Sequence, residues 1–335
     1  MFLLITLLII SVYISVVLYC KLTCGINKCS KHLVGKVVVV TGGSQGIGFE
    51  TAKDLASRGA RVIIGCRNVE RGKTAVYKIK KETGNKEVYF KPLNLASFTS
   101  VEEFTTYLAK NENRLDVLIN NAEVFGAGYQ LTDDDLLVDM QANHFGPFLL
   151  TFLLTPLLKS SAPSRVVNVS SVAHTSAAFD LEDLNFDSKK YNAHKVYSTS
   201  KLYTMLTTVE LAKNLKEYGV TVNCLHPGSV ETDVVSRMPL FKYIAPIVRP
   251  ILKTPWEAAQ TSIYLAVSPE VSDVTGKYFV DCREQRTIKA ARDPASALKI
   301  HEISMKWIFG RVKKLKIFGC GCNRVLHPSP PTKDL

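Results

Sequence analysis

The chain has 335 residues, an apolar fraction of 46% and a formal net charge of +12. Length and apolar content together exclude a disordered chain and a small disulfide-stapled scaffold, and fit one large domain with extensions. No nucleic-acid-binding motif accompanies the positive charge, so nucleic acid is not an expected partner, whereas an anionic membrane surface is.

Residues 1–20 carry no charged side chain. A stretch of about 20 apolar residues spans a bilayer. The alternative, a cleaved signal peptide, normally starts with a positive segment that is missing here. Lys21, Lys28, Lys31 and Lys36 follow the apolar stretch. By the positive-inside tendency the N-terminus is then lumenal and the following domain cytosolic, with the endoplasmic reticulum as the expected membrane. Residues 21–34 read as a juxtamembrane linker, 35–285 as the folded domain and 286–335 as a basic tail. The 8 cysteines are scattered, as suits a reducing compartment. Cys20, Cys24, Cys29, Cys320 and Cys322 are candidates for lipidation or plain thiols, and their spacing resembles no metal site.

From Lys36 onward, short β-branched runs alternate with helical stretches. Strands are expected at 36–41, 61–65, 88–91, 115–120, 165–170, 220–225 and 277–280. Valine- and isoleucine-rich strands without alternation suit a parallel sheet covered on both faces. The order predicts a single-domain α/β fold, a doubly wound parallel sheet with a ligand at the carboxyl ends of its strands. The tail segment 306–318 is basic and amphipathic, and fits either a bilayer surface or a helix packed on the domain.

The first strand runs into Thr41-Gly42-Gly43-Ser44-Gln45-Gly46-Ile47-Gly48, which opens a helix. A glycine loop in that setting offers backbone amides to a dinucleotide phosphate. Gly42 permits the turn, Gly46 the approach of phosphate, and Gly48 close packing of helix on strand. The second strand ends Gly65-Cys66-Arg67, with no acid to bind a ribose hydroxyl and an arginine suited to an extra phosphate. NADP(H) is therefore the expected cofactor; otherwise Arg67 is a solvated loop residue. Asn120-Asn121-Ala122 ends the fourth strand, and Ser170 and Ser171 end the fifth. Asn143 lies inside a helix-like segment, where asparagine is disfavoured and a functional reason is plausible.

The spacing Tyr-x-x-x-Lys occurs at Tyr77 and Lys81, Tyr191 and Lys195, and Tyr197 and Lys201. Residues four apart share a helix face. Tyr77 falls in a charged, solvated helix and Tyr191 in a polar connection. Tyr197 alone opens a long apolar-periodic stretch with Leu202, Met205, Leu206, Val209 and Leu211. An ammonium beside a phenol favours the phenolate, so Tyr197 with Lys201 suits proton exchange near neutral pH. Combined with a dinucleotide loop, the pair points to hydride transfer between a nicotinamide and a carbonyl or alcohol.

In combination and order, these segments resemble the short-chain dehydrogenase/reductase family, and within it the microsomal retinol dehydrogenase group. The resemblance covers about residues 33–281 and includes Arg165-Val-Val-Asn-Val-Ser-Ser-Val-Ala-His174 and His226-Pro-Gly228. It implies a Rossmann fold and a tetrad in which Tyr197 is the general acid or base and Lys201 lowers its pKa and holds the nicotinamide ribose. Ser171 would hydrogen-bond the substrate oxygen, and Asn143 would keep a water in the proton relay. It further implies cofactor contacts from Ser44, Gln45, Ile47, Asn94, Leu95, Asn121, Ala122, Pro227, Gly228 and Thr232. The implied substrate is a small apolar alcohol or its carbonyl, a retinoid first, with a steroid, isoprenoid or lipid aldehyde as alternatives. Pairing of two copies through the long helices is left open.

Two positions depart from the family pattern. Glu123 replaces the glycine of Asn-Asn-Ala-Gly, which is expected to strain the backbone or weaken NADPH binding. Asn94 replaces the aspartate of Asp-Leu. Glu123 supports a rival reading, a catalytically weak nucleotide-binding scaffold. The segment 234–253 mixes apolar and basic residues and fits either a lid admitting a lipid substrate or ordinary amphipathic packing.

Overall fold

The computed structural model describes residues 1–177, 186, 191–230 and 241–312. Among these, the strands are β1 (Val37–Thr41), β2 (Arg61–Cys66), β3 (Val88–Pro92), β4 (Val117–Asn120), β5 (Ser164–Val169), β6 (Val220–His226), β7 (Tyr278–Val280) and β8 (Arg283–Glu284). They form one sheet in the order β3-β2-β1-β4-β5-β6-β7-β8. All neighbours are parallel except β7 and β8. The chain winds outward from β1 in one direction and from β4 in the other, which opens a crevice at their carboxyl ends.

The helices are α1 (Phe2–Thr23), α2 (Gly46–Ser57), α3 (Val69–Thr83), α4 (Phe98–Asn111), α5 (Val138–Met140), α6 (Gly146–Ser160), α7 (Ala193–Leu215), α8 (Phe241–Val248), α9 (Pro255–Val267) and α10 (Pro294–Phe309). Val38, Val40, Val62 and Ile64 face α2, α3 and α9, while Val39, Ile63 and Leu118 face α4, α6, α7 and α10. Both faces of β1 are therefore dry, as its unbroken valine run requires. Capping side chains set the helix starts: Asn68 accepts from the Arg71 amide at 2.8 Å, and Asn192 from the Lys195 amide at 3.0 Å. Thr254 and Glu257 form a capping box behind Pro255 at the start of α9.

The sheet has one more strand than the seven expected runs. Its β7–β8 hairpin turns on Asp281 and Cys282, both with positive φ (52° and 58°), and so lacks the glycine or asparagine that marks such turns. The core also continues past residue 285. Ala297, Ile300 and Ile308 of α10 are buried in the cluster that contains Leu202 and Leu206 of α7. Trp307 stacks on Phe145 at 6.0 Å, and Phe309 meets Phe152 edge-on at 5.9 Å. The apolar side of this segment, up to Phe309, packs on the domain.

α1 is long and apolar enough to cross a membrane, and none of its residues is buried in the protein. Its base is tied down. Lys21 Nζ lies 2.9 Å from the Glu257 carboxylate at the start of α9 and donates to the Leu252 carbonyl at 3.3 Å. The Tyr13 hydroxyl donates to the carbonyl of Ile247 in α8 at 3.0 Å. The linker is held as well, with the Gly25 amide on Asp281 and the Asn27 amide on Gln260.

Candidate active site

The glycine loop connects β1 to α2. Gly42 and Gly46 have φ of +68° and +57°, a conformation that favours glycine. A Cβ on Gly46 would meet nothing within 4 Å, so the first turn of α2 opens on free space. A Cβ on Gly48 would lie 2.4 Å from the Gly42 carbonyl oxygen, so this glycine lets α2 approach β1. Gln45 is the N-cap residue of α2 and accepts from Arg71 Nη1 at 3.1 Å; Ile47 packs half-buried against the core that holds Val38, Val40 and Ile64. Ser44 hydrogen-bonds Cys66 at the end of β2.

A cleft of about 150 Å³ runs along these carboxyl ends, lined by Gly42, Arg67, Asn94, Leu95, Ala122 and Glu123 among others. Arg67 is exposed on its rim. Asn94 Oδ1 accepts from the Ala96 amide at 3.2 Å. Asn121 turns inward instead: its Nδ2 donates to the Thr41 carbonyl at 3.0 Å, and the Thr41 hydroxyl accepts from the amides of Asn121 and Ala122. The free α2 N-terminus, the open Gly46 and an arginine at the far end of one cleft fit a dinucleotide phosphate chain.

The four expected catalytic positions gather behind Glu123 and Val124, which line the cleft. Asn143 lies in a single π-helical turn (Gln141–Phe145) between α5 and α6, an irregularity frequent at functional sites. Its amide clamps the backbone of Val124 from both sides, accepting from the amide and donating to the carbonyl at 2.7 Å each. Tyr197 and Lys201 share one face of α7, with Lys201 Nζ 5.2 Å from the Tyr197 ring centre. Lys201 is 2% exposed and donates to the Val169 carbonyl at 3.1 Å. The two serines separate: the Ser170 hydroxyl donates to the Lys201 carbonyl at 3.1 Å, whereas the Ser171 hydroxyl faces the Tyr197 phenol. The competing pairs lie elsewhere, with Tyr77 exposed on α3 and Tyr191 accepting from the Gly128 amide.

Glu123 enters this group directly. Its Oε2 accepts from the Tyr197 hydroxyl at 3.0 Å and pairs with Lys201 Nζ at 2.9 Å. Burial pushes its carboxyl upward, but the charge and hydrogen bond of Lys201 outweigh that and hold it below the usual range. Burial and the Glu123 charge together push the Tyr197 phenol well above its ordinary value. The expected backbone strain is absent, because Glu123 is not among the non-glycine residues with positive φ.

Pro227 and Gly228 follow β6, and Gly228 has φ +98°. Lys253 Nζ bridges this loop to the β7 end, donating to the Pro227 carbonyl at 3.3 Å and to Asp281 at 2.6 Å. Thr232 lies outside the described residues, as do residues 234–240 of the expected lid, whose remainder carries α8. Burial, then the Lys253 charge, lower the His226 imidazole to about 4, so it is neutral beside the cleft. Sequence reasoning missed the bridging role of Lys253, whose partners are remote in the chain, and the direct contact of Glu123 with the Tyr-Lys pair. Among the described residues, no group of three or more His, Cys, Asp or Glu could hold a metal ion.

A sequence profile described as short chain dehydrogenase matches residues 36–240. The chain is 42% identical to retinol dehydrogenase 12 of Bos taurus, over 84% of this chain and 88% of that protein. It is 41% identical to retinol dehydrogenase 13 of Homo sapiens, over 79% and 82% respectively. Among solved structures it resembles a protein from Mycobacterium paratuberculosis (28% identity, TM-score 0.64, 83% of this chain and 94% of that one). It also resembles the RhlG/NADP active-site complex of Pseudomonas aeruginosa (27% identity, TM-score 0.60, 76% and 97%).

Proposed function

The chain belongs to the short-chain dehydrogenases, and from that premise we propose a membrane-anchored, NADP(H)-dependent oxidoreductase that interconverts an apolar alcohol and its aldehyde or ketone, retinol and retinal first. The observation that carries the reading is the meeting of Tyr197 and Lys201 at Glu123, a residue that lines the glycine-loop cleft.

A bound nicotinamide nucleotide supplies the hydride in reduction and takes it back in oxidation. Gly42, Gly46, Gly48, Ser44, Gln45 and Ile47 form the loop that holds the phosphates. Arg67 supports NADP(H), because its guanidinium suits the additional phosphate. Asn94, Leu95 and Ala122 line the nucleotide cleft and Asn121 braces it through Thr41; Pro227 and Gly228, with Thr232 by the family resemblance, would take the nicotinamide carboxamide. Tyr197 moves the proton at the substrate oxygen, Ser171 hydrogen-bonds that oxygen, and Lys201 favours the phenolate. Asn143 fixes the Val124 backbone and thereby the floor of the site.

The membrane part of the proposal rests on α1 and α8. Tyr13 lies midway along the apolar helix and bonds α8, so α8, with Tyr243 and Ile247 exposed, sits at the depth of the anchor. A substrate dissolved in the bilayer would reach the site along that side. Lys21 at the cytosolic boundary and the lysines after it support a cytosolic domain on the endoplasmic reticulum.

The test is NADPH and NADH consumption with all-trans-retinal and a panel of steroid, isoprenoid and other lipid carbonyls. General acid–base catalysis contributes roughly 10²–10⁴-fold, so Tyr197→Phe should lose a factor of that order while still binding NADPH. Equal rates for the two proteins would reject the mechanism. The contact of Glu123 with both Tyr197 and Lys201 favours one rival, a nucleotide-binding scaffold without turnover, which predicts no consumption with any carbonyl.

A further inference from the structure

Glu123 occupies the two groups that the chemistry needs. Its Oε2 lies 3.0 Å from the Tyr197 hydroxyl and 2.9 Å from Lys201 Nζ. The side chain springs from a backbone fixed at the next residue by the Asn143 amide, yet it is 37% exposed toward the cleft. It reaches the pair through its own torsions and can leave by the same torsions without moving the loop. The groups facing it are Tyr197 and Lys201 from α7 and His226 from the end of β6. Ser171 and the Phe125 ring border the phenol, the latter edge-on at 5.2 Å.

Two roles are open to such a carboxylate, proton relay and latch. A relay needs donor and acceptor of comparable acidity. Here the carboxyl is held below its usual range and the phenol well above its own, so the proton stays on tyrosine. The phenol's hydrogen already points at Glu123, and the Lys201 charge is neutralised by it. A carbonyl or alcohol oxygen cannot reach the Tyr197 hydroxyl productively until the carboxylate departs.

We propose that Glu123 is a latch: its carboxylate holds Tyr197 and Lys201 in a closed resting arrangement, and productive binding exchanges it for hydroxyl or carbonyl oxygens of nucleotide and substrate. This positioning role rests on the oxidoreductase reading, since it assumes that Tyr197 works on a substrate oxygen. Displacing the carboxylate opposes binding, and a charge-assisted hydrogen bond on a partly exposed group corresponds to roughly tenfold in affinity.

The test uses full-length protein with Glu123→Gln, which keeps the shape, and Glu123→Gly, which removes the side chain. Three readouts are taken: NADPH affinity by fluorescence, phenolate absorbance against pH in nucleotide-free protein with Tyr197→Phe as the subtraction blank, and turnover. Both variants should bind NADPH roughly tenfold tighter, titrate Tyr197 at lower pH and turn over faster. Unchanged affinity and an unshifted titration in a folded Glu123→Gln would overturn the latch. So would a tenfold or greater loss of turnover in both variants, which marks Glu123 as a working group. Absence of turnover in wild type and variants alike, with the affinity and titration shifts present, would uphold the exchange of Glu123 for nucleotide and overturn both its exchange for substrate and the oxidoreductase reading.

Discussion

Arg67→Ala should convert a nucleotide preference into indifference. Arg67 stands at the end of β2 on the rim of the cleft, exposed and without an ion pair to any described residue. A hydrogen bond between charged partners contributes about 1.5–3 kcal/mol, and solvent screening places an exposed guanidinium near the lower end. Taking ~1.5–2 kcal/mol at ~1.4 kcal/mol per decade, NADPH should bind roughly 10–30-fold more weakly. NADH, which lacks the additional phosphate, should change by less than about twofold. Because the Debye length at 0.1 M salt is about 10 Å, the wild-type preference should also shrink as salt rises, and the variant should show little such trend. Arg71, bonded to Gln45 of the glycine loop, is a second cation close by. The double variant Arg67→Ala/Arg71→Ala tests whether it takes over. Fluorescence titrations with both nucleotides at two salt concentrations supply the numbers. An equal loss for NADPH and NADH, or no loss even in the double variant, would refute the assignment of the phosphate to this rim.

Gly48→Ala would place its Cβ 2.4 Å from the Gly42 oxygen, against an ordinary contact of at least 3.4 Å, so α2 must retreat by about 1 Å from the loop. Overpacking of this kind costs about 1–3 kcal/mol; a lower melting temperature and loss of nucleotide binding are expected, and a wild-type Kd would contradict the packing argument. Asp116→Ala addresses stability alone. Its carboxylate, 5% exposed, accepts from Lys36 and the Val37 amide at 2.9 Å each and from Arg114 at 2.6–2.7 Å. Removal should cost about 2–3 kcal/mol at pH 7, at the low end for a buried pair because Lys36 and Arg114 are partly exposed. Burial pushes the Asp116 carboxyl up, but the Arg114, Lys36 and Val37 bonds win and depress it. Its contribution is then full above the unfolded value of about 3.9 and fades as pH falls through the lower folded value. The stability gap between wild type and Asp116→Ala, from urea melts, should narrow below about pH 4; an equal gap at pH 3 and pH 7 would contradict the linkage.

Most of the fold was legible because parallel, doubly covered strands show as uninterrupted runs such as Val37–Val40, all fully or nearly fully buried. The β7–β8 hairpin was not, because two residues of strand on a turn of Asp281 and Cys282 leave no pattern. The site was legible where local sequence carries the geometry: Tyr197 and Lys201 share a face by spacing alone, and Gly42 and Gly46 need positive φ. It was illegible where geometry depends on distant segments. Nothing local indicates that Asn143 reaches Val124, that Ser171 rather than Ser170 faces the phenol, or that Lys253 reaches Pro227. Glu123 was visible as a departure, but its effect was misplaced: the backbone accepts it, and its influence falls on the Tyr-Lys pair instead.

The two ends of the sheet divide the work of their charges, which explains how a glutamate can stand in the glycine-loop cleft of a folded protein. At the amino ends, Lys36, Arg114 and Asp116 join β1 to β4, and Arg61 joins Glu87 and Glu112 across β2, β3 and α4. Asp116 and Glu112 are buried, and Asp116 also accepts from the Val37 amide, so each group ties several elements together. At the carboxyl ends, Glu123 lines a cavity instead of a core, and its carboxylate meets Tyr197 and Lys201, with the Lys253–Asp281 pair tying the β6 and β7 ends. There a new side chain displaces no packed neighbour. Its free-energy consequence appears in the ionisation of the groups it touches and in what must be displaced for a ligand to bind. A substitution of this kind therefore changes binding and proton transfer first and folding second, whereas the same charge introduced beside Asp116 would act in the reverse order.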